Sequence, residues 1–312
     1  MQILRELENF KPEAGRPIYL ALGNFDGLHK GHQKLIKEAV AAARNDNGIA
    51  AAFVFEPHPI QVLFPERAPK LLVTAQQKAE LMKKLGLDLL IYNSFTLAIS
   101  KWSPEEFVQN ILIDKLKIKQ AFVGFNHTFG HKGAGTPEIL RELGARYGFG
   151  VKVIPPVEVN GKVVSSSLIR NMLDAGDIKQ ARVMLGYDPM LEGRVIEGEH
   201  RGKTIGFPTA NLAISSDLNV PAKGVYAARA QIGEHVFQAV INIGSKPTFH
   251  AEYPISVEAH IIDFHDDIYG EKVRLYFIDK IRDERRFNNV EELVAQISRD
   301  RDKAKQLAIG HQ

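Results

Sequence analysis

The sequence predicts an α/β chain: a parallel sheet covered by helices, then a small antiparallel barrel or sandwich, then a terminal helix. Three observations predict it. Up to about residue 186, short apolar runs alternate with helical patterns, as a parallel sheet with helices on both faces requires. Beyond that point β-rich runs follow one another, separated by turns rich in Gly, Pro and Asn. Near the end, Val290, Leu293, Val294, Ile297 and Leu307 fall on one side of a helix.

Each element has a local reason. "PIYLALG" is an apolar run and reads as the first strand, and residues 32–44 read as the helix after it. "IAAAFVFEP" is a second strand. "TAQQKAELMKKLG" carries Thr74 as N-cap and Gly86 as stop signal, and "DLLIYN" follows as a third strand. In "SPEEFVQNIL", Ser103 caps, Pro104 takes the first helical position and Glu106 completes a capping box. "QAFVGF" is a fourth strand, Thr136-Pro137 opens a helix to about Tyr147, and "VKVIPP" is a fifth strand. The later β-runs are 191–196, 209–214, 224–232, 236–243, 255–264 and 273–281, with the change of pattern near Gly186–Pro189.

Composition narrows the function. The chain has 312 residues, 45% of them hydrophobic and 25% charged, which suits one large or two ordinary globular domains. A net charge of +3 is too small to predict nucleic-acid or membrane binding by itself. No run approaches the roughly 18 apolar residues of a membrane span. "MQILRELENF" lacks an apolar core, so a signal peptide is not expected. With no cysteine, disulfides, thiolate ligands and a cysteine nucleophile are excluded, which fits a cytoplasmic enzyme.

The stretch "LGNFDGLHKGHQKLI" places His29 and His32 among Gly23, Gly27 and Gly31, where a strand hands over to a helix. Ligands of parallel sheets sit at the carboxyl ends of strands. Glycines let the backbone turn tightly there, and a helix N-terminus favours phosphate. Two imidazoles beside it can donate hydrogen bonds to phosphate oxygens. A zinc site generally needs three or four protein ligands, and neither cysteine nor a nearby acidic cluster supplies the rest. Ordinary turn hydrogen bonding remains the plain alternative for either histidine. The glycine spacing is not that of a dinucleotide fingerprint.

H-K-G-H resembles the H-x-G-H motif of the nucleotidylyltransferase superfamily, and "VSSSLIR" resembles its I-S-S-T-x-x-R block. Ser166 or Ser167 would cap the helix entering Leu168, and Arg170 would bring a fork of donors to phosphate. Leu168 stands where the family has a further arginine, so that contact is not carried over. "GNFDGLHKGH", "FEPHP" and "VGFNHTFG" narrow the resemblance to bacterial FAD synthetases. It implies a Rossmann-like nucleotidylyltransferase domain over 1–186, with Gly23, Phe25, Asp26, Gly31, Asn126, Ser166, Ser167 and Arg170 at ATP and phosphate. His58 between its prolines could simply mark a rigid turn.

"GEHRGKTIGFPTANL" is not a P-loop: Gly198 and Gly202 enclose three residues rather than four, and the segment precedes a strand. "GFPTANL" instead resembles the P-T-A-N signature of riboflavin kinases. Thr209 and Asn211 alternate along an extended chain, so both can face one ligand. A hydroxyl and an amide oxygen are hard ligands suited to Mg²⁺. "GVYAARA", "VINIGSKPTF", "SVEAHIIDF" and "IRDERRF" follow in family order. The resemblance implies a kinase barrel with a C-terminal helix over 187–312, with Gly202, Lys203, Gly206, Pro208, Thr209 and Asn211 at ATP. It also implies Mg²⁺ on Thr209 and Asn211, and Glu258 as catalytic base.

Nearly the whole chain thus resembles bacterial bifunctional riboflavin kinase/FAD synthetases. The expected chemistry is riboflavin to FMN and then FMN to FAD, each with ATP, with His29 and His32 catalytic in the second step. Expected partners are small molecules, with no nucleic acid, membrane or obligate protein partner indicated. A nucleotidylyltransferase with another acceptor and a flavin-binding regulator with degenerate sites are the rival readings.

Overall fold

The computed structural model describes residues 1–8, 10–13, 15–198, 202, 205–245 and 255–309, so Lys203 lies outside the described residues. The chain divides into two compact units, residues 1–69 with 74–165, and residues 70–73 with 166–312.

The first unit is built on a six-stranded parallel sheet. Its strands are β1 (Gln2–Arg5), β2 (Ile18–Leu22), β3 (Ile49–Phe55), β4 (Leu89–Asn93), β5 (Ile118–Gly124) and β6 (Gly150–Ile154), in the order β1-β4-β3-β2-β5-β6. The five expected strands are all present. β1 was missed because its side chains are largely exposed and carry no apolar period; backbone pairing with β4 makes it a strand. A short hairpin, β7 (Glu158–Val159) with β8 (Lys162–Val163), precedes the second unit.

Strand alternation builds two cores. Ile18, Leu20 and Leu22 face one side and Tyr19 and Ala21 the other. On the second side lie α1 (Lys30–Asn45) and α3 (Ala75–Lys84), through Leu35, Ile36, Ala39, Ala79 and Met82. The first side takes α4 (Pro104–Phe107), its π-helical continuation Val108–Lys115 and α5 (Pro137–Tyr147), through Phe107, Leu112 and Leu140. The expected caps hold. Thr74 and Gln77 exchange bonds of 3.1 and 2.8 Å, and Ser103 and Glu106 bonds of 3.1 and 2.7 Å. A short α2 (Pro59–Leu63) follows "FEPHP", capped by His58.

The sheet order fixes where a ligand can sit. The chain steps from β2 to β3 to β4 in one direction, then crosses over to β5 on the other side of β2. The carboxyl ends of β2 and β5 therefore flank the switch point at which open α/β sheets bind ligands. The loop after β2 carries the glycine-histidine motif, and the loop after β5 carries Asn126.

The second unit has α6 (Ser166–Asp174), α7 (Ile178–Leu185) and a closed antiparallel barrel. The barrel strands are β9 (Met190–Ile196), β10 (Ala210–Ile214), β11 (Gly224–Ile232), β12 (His235–Gly244), β13 (Ser256–Ile261) and β14 (Lys272–Arg282). Their order is β10-β13-β12-β11-β14-β9, and pairing of β9 with β10 closes it. Closure decides between barrel and sandwich and leaves no edge strand.

The terminal helix α8 (Val290–Ile309) is where expected, and apart from its first residue it turns the expected side to the barrel. Val290 is 55% exposed, while Ala304, Ala308 and Leu307 pack on Val225, Val240 and Ile278 of the barrel. Asp300 is also buried, held by Arg282 at 2.8 Å and by Gln296 at 2.7 Å. Leu293, Val294 and Ile297 are half-buried on the same side.

Candidate active sites

In the first unit the site grows from a left-handed turn. Phe25, Gly27 and Leu28 have φ of 51°, 71° and 35°. For Phe25 and Leu28 such values are costly, and both side chains are fully buried, which holds the turn in place. The turn delivers the chain into α1 at Lys30, two residues before the expected start, because His29 serves as N-cap. Its Nδ1 accepts the backbone N–H of His32 at 3.4 Å. An accepting Nδ1 carries no proton, so the neutral ring keeps its proton on Nε2 and can donate there.

His32 stacks on His29 with ring centroids 3.7 Å apart, and Phe25 meets it edge-on at 5.3 Å. Its own Nδ1 is buried and finds no partner among the described residues. Burial pushes His29 down to about 4. It also lowers His32, with the neighbouring His29 and Lys78 adding to the effect. Both rings are therefore neutral near pH 7. Gly31 leaves room for the pair, since a Cβ there would lie 3.2 Å from the His29 ring. Helix capping and phosphate donation are thus compatible, because they use different nitrogens of His29.

The other expected residues of this unit separate by burial. Asp26 is buried, as is Phe25, whose ring braces His32 rather than facing solvent. Gly23 is half-buried and Asn126 exposed. His127 beside it is pushed down to about 4 by burial and stacks on Phe129 at 5.9 Å.

Sequence reasoning missed Lys78. From α3 its Nζ donates to the carbonyl of Asn24, in the loop after β2, at 2.7 Å. Burial lowers its pKa, while Asp26 and Glu56 act to raise it. The available signal was its spacing: Met82, one turn on, is fully buried, so this lysine shares a core-facing stripe.

Ser166, Ser167 and Arg170 lie in the second unit. α6 starts at Ser166, so Ser165 precedes the helix and Ser166 and Ser167 occupy its first turn, instead of capping it. Arg170 donates from Nε to the carbonyl of Lys70 at 2.6 Å.

The barrel site grows from register. On β13, Val257, Ala259 and Ile261 are buried, whereas Ser256, Glu258 and His260 share the opposite, half-exposed face. Asn211 on β10 and Asn242 on β12 are both direct Cα partners of Glu258. Asn211, Glu258 and Asn242 therefore form one polar row across three strands. Asn242 was missed because its single polar position inside "VINIG" reads as an ordinary wet face. Thr209, just before β10, is exposed, in keeping with alternation around Ala210.

Two glycines lie close to β10 and the residues leading into it. A Cβ on Gly198 would overlap the amide of Asn211. One on Gly202 would strike the carbonyl of Phe207 and lie 3.4 Å from Thr209 Oγ1. Gly206 turns the chain with φ 83°. His260 Nδ1 lies 2.9 Å from the Pro208 carbonyl, which can only accept, so that nitrogen carries the proton. Pro208 is thereby held at His260, while Asn211 stands directly across from Glu258. Among the described residues no cluster of three or more His, Asp or Glu could hold a metal by itself.

Comparison with known proteins agrees with both halves. Residues 11–168 match the FAD synthetase family and residues 185–308 the riboflavin kinase family. A bifunctional riboflavin kinase/FMN adenylyltransferase of Bacillus subtilis (strain 168) is 37% identical over 289 residues, covering 91% of this chain and 90% of the relative. One from Escherichia coli (strain K12) is 32% identical over 301 residues, covering 96% of each. A crystal structure described as a macrolide-efflux protein from Streptococcus pneumoniae superposes with a TM-score of 0.87 at 31% identity, covering 97% of this chain and 98% of that one. Among the described residues no helix is long and apolar enough to cross a membrane.

Proposed function

The chain belongs to the bifunctional riboflavin kinase/FMN adenylyltransferase family, and from that premise we propose which residues carry each reaction. Its activities make FMN and ADP from riboflavin and ATP, then FAD and pyrophosphate from FMN and ATP. As units of activity we assign residues 1–186 to adenylyl transfer and 187–312 to phosphorylation. As a unit of packing, 166–186 groups with the barrel. We propose a cytoplasmic enzyme acting on small molecules.

In the kinase half, Glu258 is the base. A carboxylate with pKa near ~4.3 cannot ionise an alcohol in advance. It can orient the ribityl 5′-hydroxyl and take its proton late, as the O–P bond to the γ-phosphorus forms. The observation that carries this is the row Asn211–Glu258–Asn242, which keeps the carboxylate beside two amides on one face. Gly202, Gly206 and Pro208 shape the chain beside the phosphates, and Lys203 is assigned to ATP on the resemblance of its block.

The donor set fits Mg²⁺: Thr209 and Asn211 offer hard oxygens, under glycines whose Cβ atoms would fill the same space. Bound there, the ion would neutralise phosphate charge. Thr209 and Asn211 would hold it, while Glu258 handles the proton.

In the adenylyltransferase half, an oxygen of the FMN phosphate attacks the α-phosphorus of ATP, and pyrophosphate leaves with the bonding electron pair. His29 donates from Nε2 to phosphate oxygens as charge builds, and stacking and burial hold His32 to do the same. Gly23, Phe25, Asp26 and Gly31 shape the turn, and Asn126 borders the switch point from β5. Ser166, Ser167 and Arg170 are assigned to phosphate on the resemblance of their block.

Glu258→Gln tests the division. Removing a base costs roughly 100- to 10,000-fold, so FMN formation should fall by that much while FAD formation from supplied FMN stays intact. Parallel loss of both activities would contradict two separate sites.

A further inference from the structure

The adenylyltransferase centre has a charge problem. Its reaction brings the FMN phosphate against the triphosphate of ATP. Both imidazoles at the turn are neutral near pH 7 and offer dipoles, not charge. The turn itself therefore supplies no cation beside the one assigned at Arg170, and α3 holds one against it.

We propose that Lys78 is a phosphate-contacting cation of this centre in addition to Arg170, keeping its bond to the Asn24 carbonyl and giving a further N–H to a phosphate oxygen of ATP. The proposal rests on the reading of His29 and His32 given above. Four observations carry it. The Nζ lies 2.7 Å from a carbonyl of the loop that leaves β2 at the switch point. That is its only hydrogen bond among the described residues, although an ammonium has three N–H donors. Its field reaches His32, Asp26 and Glu56, which places the charge among the groups of the motif. Lastly, it is half-buried, so its charge is screened less than that of a lysine in open solvent.

The role is electrostatic. Lys78 transfers no proton: the FMN oxygen forms its bond to the α-phosphorus, the bond to the β-phosphate oxygen breaks, and pyrophosphate departs with the electron pair. Lys78 opposes the negative charge gathered in that exchange. The structural alternative is a clamp on the turn through Asn24. Charge separates the two, since glutamine can donate to the carbonyl without a charge.

The test uses the full-length enzyme with Lys78→Gln, Lys78→Arg and His29→Gln. FAD formation from supplied FMN, FMN formation from riboflavin, inhibition by added pyrophosphate and unfolding are measured. Lys78→Gln should lose on the order of 100-fold in kcat/KM for ATP in FAD formation. Its inhibition by pyrophosphate should weaken in parallel, with FMN formation and the unfolding midpoint unchanged. Lys78→Arg should recover most of the loss. A Lys78→Gln enzyme at full rate beside a crippled His29→Gln enzyme would overturn the role of Lys78 alone. Equal loss in both Lys78 variants with a lowered unfolding midpoint would leave only the clamp and also overturn it. A His29→Gln enzyme at full rate would overturn the histidine reading instead.

Discussion

The two units assemble the polar groups of their candidate sites by opposite means. In the first, a strained turn and a helix terminus carry the site, and the imidazoles are buried and neutral. In the second, strand register carries it, and the polar groups stand half-exposed on the outside of a closed barrel. A turn concentrates its groups within a few consecutive residues. A sheet spreads them over three strands far apart in sequence, and only pairing brings them together.

The largest expected effect tests the burial half of this contrast. In the unfolded chain His29 takes up a proton below its ordinary 6.5, but in the folded protein only below about 4. The stability contributed by its neutral form is full above pH 6.5 and is lost as the pH falls toward 4, about 3 kcal/mol over the whole window. His127 is lowered to a similar value and acts in the same direction. The single tryptophan, Trp102, packs against the core of the first unit and reports its unfolding by fluorescence. Urea titrations from pH 7 to 4.5 should show falling stability, with a shallower slope in His29→Gln. Identical slopes would mean that His29 is not held neutral.

Next comes the catalytic effect of the same change. His29→Gln should cost on the order of 100-fold in FAD formation, as loss of a preorganised donor does, and leave FMN formation untouched. Loss of both would erase the contrast, because one site would then serve both reactions.

The smallest effect sharpens the barrel half. Gly202→Ala forces a methyl against the Phe207 carbonyl and toward Thr209. The chain there must shift by a fraction of an ångström, so we expect about 10-fold slower FMN formation, below the ~100-fold of a full 1 Å displacement. FAD formation should be unchanged. An unaffected kinase would show that Gly202 does not set the position of Thr209.

Legibility followed the same division. The turn motif could be read because Gly23, Gly27, Gly31, His29 and His32 are neighbours in sequence. Lys78 could not, because it comes from a later helix and a lysine in "QQK" looks solvated until its face is known. Glu258 was found by resemblance, but Asn242 beside it required the pairing of β12 with β13. The buried side of α8 was legible from its apolar spacing, but not that Asp300 lies on it, because its charge is compensated by Arg282 from β14, a partner that hydropathy cannot see.

By itself the sequence determined the alternation of strands and helices, the caps at Thr74 and Ser103, the change to β-rich runs and the glycine-histidine turn. All of these rest on contacts between near neighbours, whose geometry a few residues fix. Tertiary structure alone decided that the second half closes into a barrel, that β1 joins the sheet, that β2 and β5 flank the switch point, and that Asn242 stands with Glu258 and Lys78 with the histidine turn. These depend on long-range pairing and burial, whose partners are dozens of residues apart, so no local pattern encodes them.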